Sequence, residues 1–153
     1  MRMAHIAAAL LLALPTSGLA WQAKAKTVHD GDSINVVNED GAQINIRLYG
    51  IDSPESKQPH GYQAKRALSK LASRKTVDVS PMDTDRYGRT VALVHTPDGA
   101  LANLEMVRAG YAWVYEQYCT RQDICDRLRT AQAEARSAGR GLWADSDPVP
   151  PWE

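Results

Sequence analysis

Hydrophobic and polar positions alternate strictly over residues 44–49: Ile44, Ile46 and Leu48 fall on one side, Asn45, Arg47 and Tyr49 on the other. A two-residue period predicts a strand with one buried face, and it puts Arg47 on the outer face near the strand end. A strand is predicted to begin at residues 24–29, with Asp30-Gly31-Asp32 as a turn into a second strand over 33–37. Asn38-Glu-Asp-Gly41 is the next turn, so the segment reads as a hairpin. The period then changes. Ala64, Ala67, Leu68 and Leu71 recur at i, i+3, i+4 and i+7, the stripe of a one-sided helix starting near residues 60–62. Two further strands, 76–80 and 90–95, flank the charged turn Asp83-Thr-Asp-Arg-Tyr-Gly-Arg89, in which Gly88 permits a tight bend. Residues 101–109 form a short predicted helix stopped by Gly110, and 111–115 a short extended segment. In the last predicted helix Thr120 and Asp123 have the spacing of a capping box. Its apolar stripe is Ile124, Leu128, Ala131, Ala135 and Ala138, and Gly139 ends it. The Pro-rich C-terminal tail, residues 146–153, is expected to fray. Short strands with a few helices outside them predict an α+β domain built on a small barrel.

Length and composition add an export signal. At 153 residues and 44% hydrophobic the chain suits one domain, which at this size buries roughly 70% of its unfolded surface. Arg2, an apolar run over residues 6–14, Pro15-Thr-Ser and the small pair Gly18 and Ala20 together read as a signal peptide, residues 1–20, cleaved after Ala20. Pro15, Thr16 and Ser17 interrupt the run well short of the ~18 apolar residues a membrane span needs. No Cys sits at the processing site and no Arg-Arg pair precedes the run, so lipoprotein and twin-arginine export lack support. The expected location is periplasmic or secreted, without a membrane anchor.

The chain carries 18 Lys and Arg against 18 Asp and Glu; loss of the leader removes Arg2 and no acid, leaving a balance of about −1. A protein that coats nucleic acid through counterion release is strongly basic, which this one is not. Any action on nucleic acid must come from a local constellation. Cys119 and Cys125 are the two cysteines. In an oxidising compartment they are expected to pair, the alternative being two free thiols with one packed in the core. Zinc has no neighbouring Cys or His to complete a ligand set.

Asp30, Asp32, Asp52 and Glu55 all lie at predicted strand ends or turns. Clustered carboxylates repel unless a cation joins them, and hard oxygen ligands favour Ca²⁺ or Mg²⁺. Taken singly, Asp-Gly-Asp is also an ordinary turn and Asp-Ser-Pro-Glu an ordinary loop. Arg47 and Arg89 change that balance, because two guanidinium forks beside a divalent cation describe a site for a phosphoryl group.

Four motifs stand in order along the chain: Val28-His-Asp30-Gly-Asp32-Ser33; Arg47-Leu-Tyr-Gly-Ile-Asp52-Ser-Pro-Glu55; Asp85-Arg-Tyr-Gly-Arg89; and Gly141-Leu-Trp143. Each is weak alone, but the ordered set, covering about residues 24–145, closely resembles the staphylococcal nuclease family. The resemblance implies an OB-fold five-stranded barrel with three helices, a nuclease domain spanning residues 21–145, and Ca²⁺-dependent cleavage of DNA and/or RNA. It implies that Asp32 and Asp52 ligate Ca²⁺ through their side chains and Ser53 through its backbone carbonyl. Glu55 is implied to contact the ion through water and to serve as the base. Arg47 and Arg89 flank the phosphate in the same reading, and Asp30 supports the site from behind. Arg86, Tyr115 and Tyr118 are implied to face substrate, although aromatic packing near a helix start accounts for the tyrosines equally well. Three features depart from the family archetype: Ser56-Lys-Gln-Pro-His-Gly61 runs almost directly into a helix where the archetype has a longer lysine-bearing loop; serines, Ser33 and Ser53, follow the paired acids where the archetype has Thr; and Arg86 stands where the archetype has Lys, which keeps the charge.

Other readings explain less. A non-catalytic OB-fold module that binds nucleic acid or a protein has no need of Glu55 beside a metal. An exported domain in which calcium only stabilises the fold leaves both arginines unexplained. No obligate protein partner is called for, and a monomer is expected.

Overall fold

The alternation read from residues 33–48 is realised as a closed barrel. In the computed structural model, which describes residues 18–153, all but the last three residues of the predicted leader lie outside the described residues. Strands β1 (Trp21–Val28), β2 (Ser33–Asn38), β3 (Gln43–Leu48), β5 (Thr76–Thr84) and β6 (Thr90–His95) close in the order β1-β2-β3-β6-β5. The two-residue strands β4 (Ile51–Asp52) and β7 (Trp113–Val114) pair outside the barrel. The helices α1 (Gly61–Ala72), α2 (Ala102–Arg108) and α3 (Gln122–Ser137) pack around it, so the fold is the α+β, five-stranded OB barrel with three helices. Among the described residues no helix is long and apolar enough to cross a membrane.

Ile34 and Val36 of β2, Ile46 and Leu48 of β3, and Val77 and Val79 of β5 fill the barrel interior. Each side chain so buried contributes roughly 1.5–3 kcal/mol. On α1, Ala64 and Leu68 are fully buried, with Ala67 and Leu71 packed at the margin. On α3, Ile124, Leu128, Ala131 and Ala135 face inward. Ala138 lies beyond the helix end and is exposed, so the predicted stripe stops one turn early.

Three further expectations differ from what forms. β5 runs past Ser80 to Thr84, because a register shift between Pro81 and Asp83 carries the strand through a residue that reads locally as a breaker. Tyr49, expected on the outer face, is buried, since β3 ends at Leu48 and the chain turns at Gly50 (φ 75°). Its hydroxyl oxygen accepts the backbone N–H groups of Thr120 and Arg121, both at 2.8 Å. The predicted capping box does not form. Arg121 stands at the N-cap without a side-chain cap, Thr120 Oγ1 lies 3.3 Å from the Tyr49 hydroxyl, and Asp123 pairs with Arg121.

The pairing of Cys119 with Cys125 is as expected: a disulfide, with Cα atoms 5.7 Å apart, ties the turn before α3 to its first coil. Gly50 sits directly beneath it. A Cβ there would lie 2.9 Å from Cys119 Sγ, so the position needs glycine for space as well as for its positive φ.

Candidate active site

β2 and β3 are antiparallel, with Ser33 opposite Arg47, so the turn before β2 and the end of β3 meet. β3 and β6 are parallel, with Ile46 opposite Thr90. By that register Arg89, one residue before β6, is level with Asn45, two positions before Arg47 on β3. The turn 30–32 is braced locally, with the Asp32 N–H donating to Asp30 Oδ1 at 3.1 Å. It is also pressed against the loop that carries Glu55: a Cβ on Gly31 would lie 2.0 Å from Ser53 Oγ.

Asp32 is fully buried, and both of its carboxylate oxygens accept hydrogen bonds. Arg47 Nη1 donates to Oδ1 at 2.7 Å, the Ser33 hydroxyl to the same oxygen at 3.0 Å, and the Ser53 N–H to Oδ2 at 2.7 Å. The second Arg47 nitrogen, Nη2, donates to Asp52 Oδ1 at 2.5 Å. One guanidinium thus bridges two acids that are 20 residues apart in sequence. Burial pushes the Asp32 carboxyl well above the usual range, against the pull of Arg47, with Asp30 and Asp52 adding to the rise. Burial alone depresses Arg47, but Asp32 and Asp52 outweigh it and hold the guanidinium above its ordinary value.

Glu55 is exposed, at the start of the loop leading to α1. Its backbone N–H donates to Gln58 Oε1 at 2.7 Å, and its carbonyl packs where a Cβ on Gly61 would come within 1.8 Å. Partial desolvation and the charges of Asp30 and Asp52 raise its carboxyl above the ordinary value; Arg47 and Arg89 act the other way without cancelling them. Four predicted site residues therefore face the Glu55 carboxyl electrostatically. Arg89 is held by Asp85, with Nε donating to Oδ2 at 2.7 Å, while Asp85 Oδ1 accepts the backbone N–H groups of Tyr87 and Arg89. Arg86 lies with Arg89 over the exposed Tyr87 ring, at 5.0 and 5.6 Å from its centroid.

Tyr115 borders the same cleft. Its hydroxyl is raised by desolvation and then by Asp52, with Arg47 and Arg86 opposing. Tyr118 meets the Tyr115 ring edge-on, 4.7 Å between centroids, and remains 56% exposed.

With that geometry, comparison with known proteins is decisive. Residues 45–145 match the family described as staphylococcal nuclease homologue. An uncharacterized endonuclease of Escherichia coli is 49% identical over 125 residues, 82% of this chain and 78% of that protein. The chain belongs to the staphylococcal nuclease family. A second uncharacterized endonuclease, from Haemophilus influenzae, is 39% identical over 81% of this chain and 67% of its own length. A micrococcal nuclease of Shigella flexneri is 35% identical over 97% of this chain and 88% of that one.

As a staphylococcal nuclease homologue the chain invites a test for a metal. Among the described residues, no group of three or more His, Cys, Asp or Glu side chains is arranged to hold one. Arg47 stands between Asp32 and Asp52 and supplies the positive charge there. The donor chemistry nevertheless fits a hard divalent cation. The available groups are oxygens, and although burial is the main reason the Asp32 and Glu55 carboxyls are raised, the neighbouring acids Asp30 and Asp52 add to the rise in both.

Sequence reasoning missed two residues that hold the site. Asn103 is fully buried in α2, where its Oδ1 accepts the Val94 N–H and its Nδ2 donates to the carbonyls of Tyr49 and Ala92, fixing the exit of β3 against β6. An asparagine between Ala102 and Leu104, on the helix's apolar side, was the available signal. Gln58 carries the Glu55 backbone and gives no signal of it, since a polar residue in a short polar loop has no periodicity to break.

Proposed function

We propose that this protein is an exported, calcium-dependent nuclease that hydrolyses phosphodiester bonds of DNA and/or RNA, acting as a monomer. The observation that carries the reading is the Glu55 carboxyl, solvent-exposed and within electrostatic reach of both arginines and of Asp52. The nuclease names of its relatives support the substrate class. Asp32, Asp52 and the Ser53 backbone carbonyl would hold Ca²⁺, with Asp30 fixing the turn behind them. When bound, the cation neutralises charge on the phosphate and polarises a water. Glu55 accepts the proton of the attacking water, a role its raised pKa suits, because a base works best with a pKa closer to the working pH. Arg89 donates to the phosphate oxygens, as does Arg47 on giving up part of its pairing with Asp52. Each such donor is worth about 3–4 kcal/mol where charge builds up in the transition state. An arginine pKa above about 12 makes both electrostatic donors and not proton donors. Arg86, Tyr115 and Tyr118 line the approach of the substrate.

Export is supported by the signal-like first 20 residues, by the start of β1 at Trp21 and by the disulfide, which persists in oxidising compartments.

The test is digestion of single-stranded DNA, duplex DNA and RNA by the protein starting at Trp21, in Ca²⁺ and in a chelator. Cleavage of at least one substrate in Ca²⁺ and its loss in chelator is expected. Equal cleavage in chelator overturns the calcium mechanism, and cleavage of none of the three favours a binding module.

A further inference from the structure

The tail of residues 146–153, expected to fray, packs with the preceding Asp145 along one wall of the cleft instead. Asp145 Oδ2 lies 2.8 Å from His60 Nε2, and Gln58 Nε2 donates to the Pro151 carbonyl at 3.3 Å. The Trp152 indole lies parallel to the Tyr115 ring, 5.0 Å between centroids and 2° between planes, and meets Trp113 edge-on at 6.0 Å. Trp113 in turn packs on Trp143 at 4.3 Å. The result is a continuous aromatic row whose inner members are Trp143 and Trp113 and whose outer members, Trp152 and Tyr118, stay 45% and 56% exposed. Tyr115, between Trp152 and Tyr118 in the row, lies in the field of Asp52 and Arg47. Among the described hydrogen bonds none joins residues 145–153 to Arg47, Glu55 or Arg89; the segment grips the outer side of the loop through Gln58 and His60. A plug over the site would engage those charged groups.

We propose that Trp152 is a substrate-binding residue: its indole, held flat on Tyr115 beside the phosphate site, is the platform on which a nucleobase flanking the scissile phosphate stacks. This rests on the nuclease reading for its substrate class. A neutral platform suits a near-neutral protein, because stacking binds the strand without the basic surface that counterion release needs.

The test is a cycle between Trp152 and the base it holds. The probes are a fluorescein-labelled single-stranded DNA oligonucleotide and versions with an abasic nucleotide stepped along it. Binding is read by anisotropy in chelator, and steady-state cleavage in Ca²⁺. Trp152→Ala and Trp152→Leu should each weaken binding and raise KM about tenfold, the typical loss of one stacked base, with kcat little changed. Trp152→Phe should stay near wild type. An abasic nucleotide at one position should cost wild type the same factor and cost Trp152→Ala nothing more. Equal abasic penalties in both proteins overturn the proposal. So does tighter binding by Trp152→Ala, which would make the indole a plug, and so does a fall in kcat alone, which would make it a brace for the Glu55 loop. If the cycle closes as expected in binding while no variant cleaves, the nuclease reading fails and the platform stands.

Discussion

Arg47 and Arg89 reach the same cleft from opposite kinds of structure. Arg47 projects from the end of a barrel strand, its side chain 16% exposed, and ties fully buried Asp32 to Asp52. Arg89 leaves a turn, its side chain 31% exposed, and answers Asp85 four residues away. One is part of what holds the fold together; the other is fastened only to its own turn. In the proposed reaction the same residue type would therefore serve with very different consequences for stability, and the difference is open to measurement.

The largest effect belongs to Arg47→Ala. Removing it leaves Asp32 buried beside Asp52 without its cation, and breaking a buried pair in this way costs about 3–5 kcal/mol. Urea denaturation should register that loss together with a fall in cleavage of about 100-fold or more. The pH dependence has a definite sign. Asp32 already titrates above its ordinary value when folded. Without Arg47 its ionisation opposes folding further, so the deficit in stability should grow as pH rises from acid toward neutral. Arg89→Ala should reduce cleavage by a similar ~100-fold but change stability by only about 0–1 kcal/mol, as expected of a partly exposed pair. Equal destabilisation by the two substitutions would break the comparison. The smallest effect sharpens the electrostatics of Glu55. Asp30→Asn keeps an oxygen to accept the Asp32 N–H and deletes a charge that raises Glu55. A base is active only when deprotonated, so the acid limb of kcat/KM, measured at fixed Ca²⁺, should move to lower pH in that variant.

Much of the barrel was legible because its signals are local. The alternation at Ile44, Ile46 and Leu48 and the stripe on α1 each report one buried face, and both faces are where they were predicted. Arg47 was legible as an outward residue near a strand end for the same reason. What escaped depends on partners distant in sequence. Tyr49 continues the alternation by count, yet it is turned inward by Gly50 to receive the backbone of Thr120 and Arg121. Thr120 and Asp123 have the spacing of a capping box, but each has a competing partner, the Tyr49 hydroxyl and the Arg121 guanidinium. The parallel pairing of β3 with β6, which sets Arg89 two positions from Arg47 along the sheet, has no signature in either strand alone. Residues 146–153 read as a Pro-rich tail because their two large apolar residues, Val149 and Trp152, set no period, and the stacking partner of Trp152, Tyr115, lies 37 residues earlier.

The roles assigned to the acids converge on Glu55, so the most direct measurement is single-turnover cleavage by Glu55→Gln against wild type, with substrate affinity measured in parallel. The side chain keeps its size and loses its basicity. The account predicts a cleavage rate lower by about 10²–10⁴ with affinity essentially unchanged. A Glu55→Gln protein that cleaves at the wild-type rate would contradict it.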